Sequence, residues 1–113
     1  MKIKEKIEGK VAILSLSGNM MGGPETQEIH EKIKSLLADN LKKIVIDLAG
    51  VKWMNSSGLG ILMASLTSIE QAGGELKLAC VADKVQSLLM ITQLMKIFQT
   101  FETVDRAVAN FKE

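Results

Sequence analysis

The run Lys43-Ile-Val-Ile-Asp-Leu48 constrains the fold most, because it is short, rich in β-branched residues and apolar at successive positions. Side chains alternate between the two faces of a strand, so this run needs cover on both, as in the centre of a parallel sheet. The rest of the chain alternates in the way that such cover requires. Val11–Ser17 reads as a strand, with Ile3–Glu8 as a short edge strand and Glu8-Gly9-Lys10 as the turn between them. Gly18–Gly23 is a glycine-punctuated loop, and Pro24 suits the first turn of a helix. That helix carries Ile29, Ile33, Leu36 and Leu37 at helical spacing, has Glu25, Glu28 and Glu31 in its N-terminal half, and should stop near Asp39-Asn40.

After the central strand and a loop, Ala49–Asn55, the triplet Ser56-Ser57-Gly58 opens a second helix. Its apolar face is Leu59, Leu62, Met63, Leu66 and Ile69, and Gly73-Gly74 ends it. Glu75–Val81 reads as a strand, and Asp83-Lys-Val-Gln86 as a capping box for a helix carrying Val85, Leu88 and Leu89. Ile97–Phe101 is a further short strand, and Thr103 caps a last helix with Val104, Ala107, Val108 and Phe111 on one face. The order β-β-α-β-α-β-α-β-α predicts an α/β fold with a largely parallel sheet and helices packed against it. No boundary, repeat or low-complexity segment divides it, so one domain over residues 1–113 is expected.

Composition narrows the function classes. Fourteen basic residues stand against thirteen acidic ones, and the lysines are scattered among glutamates. Nucleic-acid binding needs a concentrated basic face, so that balance argues against it. Tyrosine is absent and there are three Phe and one Trp, too few for a stacking platform. The lone Cys80 excludes an internal disulfide, fits a reducing compartment and reads as a small buried side chain. No apolar stretch reaches membrane-spanning length and the N-terminus has no secretory h-region, so a cytoplasmic protein without membrane insertion is expected.

Enzyme chemistry finds little support. Gly58-Leu-Gly60-Ile-Leu-Met63 lacks the last glycine or alanine of a dinucleotide fingerprint, and Gly18–Gly23 lacks the Gly-Lys-Ser/Thr end of a phosphate loop. With one His, His30 on an amphipathic helix, and one Cys, neither a nucleophile–base pair nor a transition-metal site is expected. No catalytic residue, metal or cofactor is therefore assigned. Asp47 ends a strand where α/β proteins often place functional groups, but a loop-capping carboxylate explains it equally well.

The segment from Asp47 to Leu62 is different, because it sets hydroxyls at a helix start. Asn55, Ser56 or Ser57 could each accept a backbone N–H there, which contributes ~1 kcal/mol. Capping needs one such residue, and three are adjacent. A helix N-terminus also offers unpaired donors and partial positive charge, so it tolerates a phosphate. Phosphorylation there would add about −1.5 to −2 charges, to be read by a partner docked on that surface. From Ser-Ser-Gly alone, capping is the simpler reading.

The stretch Asp47-Leu-Ala-Gly-Val…Met-Asn-Ser-Ser-Gly-Leu-Gly-Ile-Leu resembles the signature of STAS domains, specifically the stand-alone anti-sigma factor antagonists. Leu16-Ser-Gly18, the Gly73-Gly74 turn and the element order extend the likeness over nearly the whole chain. The resemblance implies an α/β fold with a mixed sheet and about four helices. It also implies partner switching: the unphosphorylated protein binds an anti-sigma factor that is a serine kinase and so frees a sigma factor. The kinase phosphorylates the serine matching Ser56, with Ser57 the lesser candidate, and a metal-dependent serine phosphatase reverses the step. Nucleotide and metal belong to the kinase. Two positions depart from the signature: Asn55 stands where Asp is usual, and the neutral Asn19-Met20-Met21 stands where acidic residues are common.

The surface expected to meet the partner comprises Asn19, Met20, Met21, Trp53, Met54, Asn55, Ser57, Gly58 and Leu59, with Asp47 supporting the loop. One of Met20 and Met21 is expected to fold onto the sheet edge. The other should join Trp53 and Met54 in an exposed, adaptable apolar patch. A monomer is expected when free. The competing reading is a non-switching scaffold or accessory subunit of a transport, ligand-sensing or signalling assembly, with a ligand pocket near the sheet edge.

Overall fold

A computed structural model describes residues 2–111, with the side chains of residues 25 and 26 outside the description. The place expected for the Glu25 side chain therefore lies outside the described residues. The strands are β1 (Lys2–Glu8), β2 (Val11–Ser17), β3 (Lys43–Gly50), β4 (Glu75–Ala79) and β5 (Gln99–Phe101). The helices are α1 (Pro24–Ala38), α2 (Ser56–Gln71), α3 (Asp83–Ile91) and α4 (Val104–Phe111), with a 3-10 turn at Leu94–Lys96. The strands lie in the order β1-β2-β3-β4-β5. β1 pairs antiparallel with β2 and every other neighbour is parallel, so the sheet is mixed and largely parallel, as expected.

Stepwise order explains where the helices go. Each crossover from β2 to β5 moves one strand in the same direction, and right-handed connections then place α1, α2 and α3 on one face. Ile29, Ile33, Leu62, Ile69, Val85 and Leu89 from these helices pack on Ala12, Leu14, Ile44, Ile46 and Leu78. α4 follows the edge strand and returns over the opposite face, where Ala107, Val108 and Phe111 cover Val11, Ile13, Val45 and Ala79. β3 is central and buried on both faces, which accounts for the consecutive apolar residues Ile44, Val45 and Ile46.

Three local expectations are corrected. β4 stops at Ala79, two residues before the expected end, because Cys80 turns left-handed at φ 59° and gives its amide to the Phe101 carbonyl at 3.0 Å. Cys80 is accordingly half-buried and lies outside the strand. The capping box at Asp83 does not form: the cap position is Ala82, and Asp83 sits inside the first turn, where its charge complements the helix dipole. β5 starts at Gln99 because the 3-10 turn uses the residues before it. Thr103 does cap α4, its hydroxyl oxygen accepting from the Arg106 amide at 3.1 Å.

The α4 face buries a charge that the apolar pattern of β4 conceals. The Lys77 side chain is 3% exposed. Its Nζ donates to Gln99 Oε1 at 2.8 Å and to Asn110 Oδ1, and it stands 3.7 Å from a Glu75 carboxylate oxygen. The Phe111 and Phe101 ring centroids lie 4.5 and 5.3 Å away. A buried ammonium is tolerated only when its protons are satisfied, and here the partners come from β4, β5 and α4 together. Lys77→Met keeps the length of the side chain but leaves both amide oxygens without their shared donor. The expected cost is about 1–3 kcal/mol, read as a lower urea midpoint at unchanged slope.

Candidate functional site

The site begins where the sheet ends. β2 and β3 are parallel neighbours with a register shift between Ser15 and Ser17, and beyond it the two chains continue side by side. Gly18 N–H donates to the Gly50 carbonyl at 3.0 Å, Met20 N–H to Trp53 at 3.1 Å, and Asn55 N–H to Met20 at 3.2 Å. Met20 and Met54 form an isolated parallel bridge. The segments 18–21 and 51–55, read from sequence as loops, thus extend the β2–β3 ladder by a few residues.

Extended backbone alternates its side chains, and that decides which residues face outward. Met20 (0% exposed) and Met54 (2%) point into the core under α1 and α2. Their neighbours point out: Asn19 is exposed, and Met21 and Trp53 keep 46% and 44% of their surface. One methionine of the pair therefore folds in and the other is exposed, as expected. Met54 is corrected, because it lies beneath the surface and not in the patch. Gly58 and Leu59 are also buried, so they support the expected contact surface from below.

Helix α2 is seated on this ladder. Asn55 occupies the cap position with extended backbone; its Oδ1 accepts from Gly58 N–H at 3.0 Å and its carbonyl from Leu59 N–H at 3.0 Å. Its Nδ2 donates to the Met21 carbonyl at 3.3 Å. Asn55 thus caps the helix, and Ser56 and Ser57 stand outside that role with exposed side chains. The two serines differ. Ser57 is wedged against the first loop, where a Cβ added to Gly22 would fall 2.8 Å from the Ser57 Cβ. Ser56 is the first residue of the helix and exposed.

Asp47 supports the ladder from the other face. Its Oδ2 accepts from the Ser15 hydroxyl at 3.0 Å and its Oδ1 from the Ala49 amide at 3.0 Å, so the carboxylate caps the loop. Burial pushes the Cys80 thiol up, the Asp47 carboxylate adds to the effect, and the Val104 backbone lowers it less. The thiol is therefore held protonated. His30 is half-buried on α1. Among the described residues, no group of His, Cys, Asp and Glu is arranged to hold a metal ion, and no helix is long and apolar enough to cross a membrane. An open hollow of about 310 Å³ lies at the carboxyl ends of β4 and β5, lined by Cys80, Asp83, Gln86, Thr100, Phe101 and Glu102 among others.

Sequence reasoning missed the pairing of the two loops. The sequence carried only a faint signal, because Met20 and Met54 each have an asparagine on one side but a large apolar residue, Met21 or Trp53, on the other, so no strand alternation shows.

The sequence model of the STAS domain family matches residues 2–107. The chain is 29% identical over 75 residues to an anti-sigma-B factor antagonist of Staphylococcus aureus, covering 66% of this chain and 69% of that protein. It is 26% identical over 102 residues to an anti-sigma F factor antagonist of Paenibacillus polymyxa, covering 90% and 87%. In fold it resembles the crystal structure of an anti-sigma factor antagonist from Mycobacterium paratuberculosis, with a TM-score of 0.82 at 24% identity, over 99% and 94% of the two chains.

Two glycines in the first turns of α2 separate packing from propensity. A Cβ on Gly58 would meet the Met20 carbonyl oxygen at 2.3 Å and the Met20 and Met54 Cβ atoms at 2.9 Å, whereas one on Gly60 meets nothing within 4 Å. Gly60→Ala should stabilise by up to about 1 kcal/mol through helix propensity. Gly58→Ala should destabilise by about 1–3 kcal/mol despite the same propensity gain, because backbone must move. In the same denaturation series, Met20→Ser should lose about 2–5 kcal/mol as a truncated core side chain. Met21→Ser should stay within about 0.5 kcal/mol of the parent.

Proposed function

The chain belongs to the STAS domain family, and from that premise we propose that it is an anti-sigma factor antagonist controlled by phosphorylation of Ser56. In this reading the unphosphorylated protein binds an anti-sigma factor that is a serine kinase, and a sigma factor is released. The observation that carries it is the exposed Ser56 hydroxyl at a helix start already capped by Asn55. Phosphorylation there would not cost the helix its cap.

The surroundings suit a switch that acts on binding. The first turn of α2 holds no acidic residue, and the exposed side chains of the two paired segments are Asn19, Met21, Lys52 and Trp53, with Ser57 on the helix. A partly apolar surface on which Lys52 is the one charge among these residues loses less by being desolvated under a partner than a densely charged one. A phosphate of about −1.5 to −2 charges on the same surface would have to be stripped of water or repelled. The helix dipole and unpaired N–H groups favour that charge in the free protein, which biases the balance further away from the complex.

The kinase supplies the nucleotide and its metal, and a metal-dependent serine phosphatase restores the hydroxyl. The protein acts as a cytoplasmic monomer when free, and with a net charge of +1 nucleic acid is not its partner. A second reading, a non-switching subunit that carries a ligand, draws on the hollow beside the edge strand β5. It predicts a complex indifferent to charge at position 56.

The test is twofold. Protein purified from its native cells should carry a phosphatase-removable phosphate on Ser56 under some growth condition. Titrated against an anti-sigma factor serine kinase, Ser56→Ala should bind like the unphosphorylated parent, and Ser56→Asp at least about tenfold more weakly, a difference of about 1.4 kcal/mol. Equal affinities for the two variants, with no phosphate found, would overturn the switch in favour of the second reading.

A further inference from the structure

We infer that Asn55 is a positioning residue that latches the first loop to the start of α2, so that Met21 and Trp53 are presented beside Ser56 as one surface. The inference rests on the reading of Ser56 as the switched residue and concerns how that same site is held in shape.

The geometry of Asn55 is two-ended. Its Oδ1 is used by the Gly58 amide, the helix cap. Its Nδ2 is used by the Met21 carbonyl, a residue of the other loop. The backbone of Asn55 adds a bond in each direction, its N–H to the Met20 carbonyl and its carbonyl to the Leu59 N–H. One residue therefore ties the helix start to the loop that bears Met21, while Met20, immediately before, is anchored in the core.

The latch depends on the carboxamide. An ionised Asp at this position would cap as well, since Asp and Asn are equivalent cap residues. It has no proton to donate, however, and would set a carboxylate oxygen against the Met21 carbonyl. Ser would also cap, but its single hydroxyl cannot hold Gly58 N–H and reach Met21. Both substitutions thus keep the helix start and open the loop, which separates latching from capping.

The experiment compares the parent with Asn55→Asp and Asn55→Ser by site-resolved amide hydrogen exchange and by titration with the anti-sigma factor serine kinase. The Met20 and residue-55 amides, which bond across the two loops, should exchange at least about fivefold faster in both variants. The Gly58 and Leu59 amides, which report the cap, should keep their protection. Kinase affinity should fall about tenfold or more in both variants. Unchanged exchange at Met20 and residue 55 would overturn the latch, and so would equal losses at Gly58 and Leu59, which would make Asn55 a cap and nothing else. Loosened loops with parental kinase affinity would overturn the claim that the latch shapes the docking surface. A parent that binds no kinase would sink the functional reading, and the exchange rates alone would then decide the latch.

Discussion

The rest of the site depends on one constraint: the backbone of α2 must come close enough to the first loop for Gly58 to touch Met20. Only a residue without a Cβ fits there, because a Cβ on residue 58 would fall 2.3 Å from the Met20 carbonyl oxygen. That approach is possible because Met20 and Met54 continue the parallel pairing of β2 and β3 past the end of the sheet. Their side chains then fill the space below, both almost completely buried. The helix start is thereby fixed relative to the sheet by packing and by ladder bonds, two contributions that add in the same direction. Neither Ser56 nor Ser57 is needed for it.

A helix start held in this way favours regulation at its surface over regulation by rearrangement. Moving the first turn of α2 would uncover Met20, Met54 and Leu59, and burying an aliphatic side chain of this size is worth about 1.5–3 kcal/mol each. A phosphate beside exposed backbone donors interacts favourably by only about 0.3–1 kcal/mol through the helix dipole at an exposed position. The packing term exceeds the electrostatic one several-fold. Charge added at Ser56 therefore changes what can dock far more readily than it changes the fold beneath.

The architecture was legible in the sequence because its signals are periodic. Helical spacing of Ile29, Ile33 and Leu36, and the two-sided apolar run Ile44–Leu48, need no knowledge of partners elsewhere in the chain. The helix start at Ser56 was legible for the same reason, through its hydroxyls and the apolar face that follows. What escaped depends on non-local pairing. Met20 and Met54 are thirty-odd residues apart and become a bridge only when β2 and β3 lie side by side, so each loop by itself reads as irregular. Lys77 reads as a solvated charge until Asn110 and Phe111 arrive from α4. The left-handed turn at Cys80 is likewise imposed from outside, by the carbonyl of Phe101 on the neighbouring strand.

Alternation in the paired loops also separates stability from recognition at single-residue resolution. Met20 and Met54 carry the core contacts, and Asn19, Met21 and Trp53, adjacent in sequence, carry the exposed surface. A substitution on an outward position leaves the ladder bonds intact, because those are made by backbone. The exposed set is therefore free to change its chemistry to suit a particular partner while the inward set is held by volume. Asn55 belongs to both sets, half-buried, with one end of its carboxamide on the helix and the other on the loop. A residue so placed transmits changes between the two, which is why its hydrogen-bonding chemistry, and not its size alone, sets how firmly the surface beside Ser56 is held.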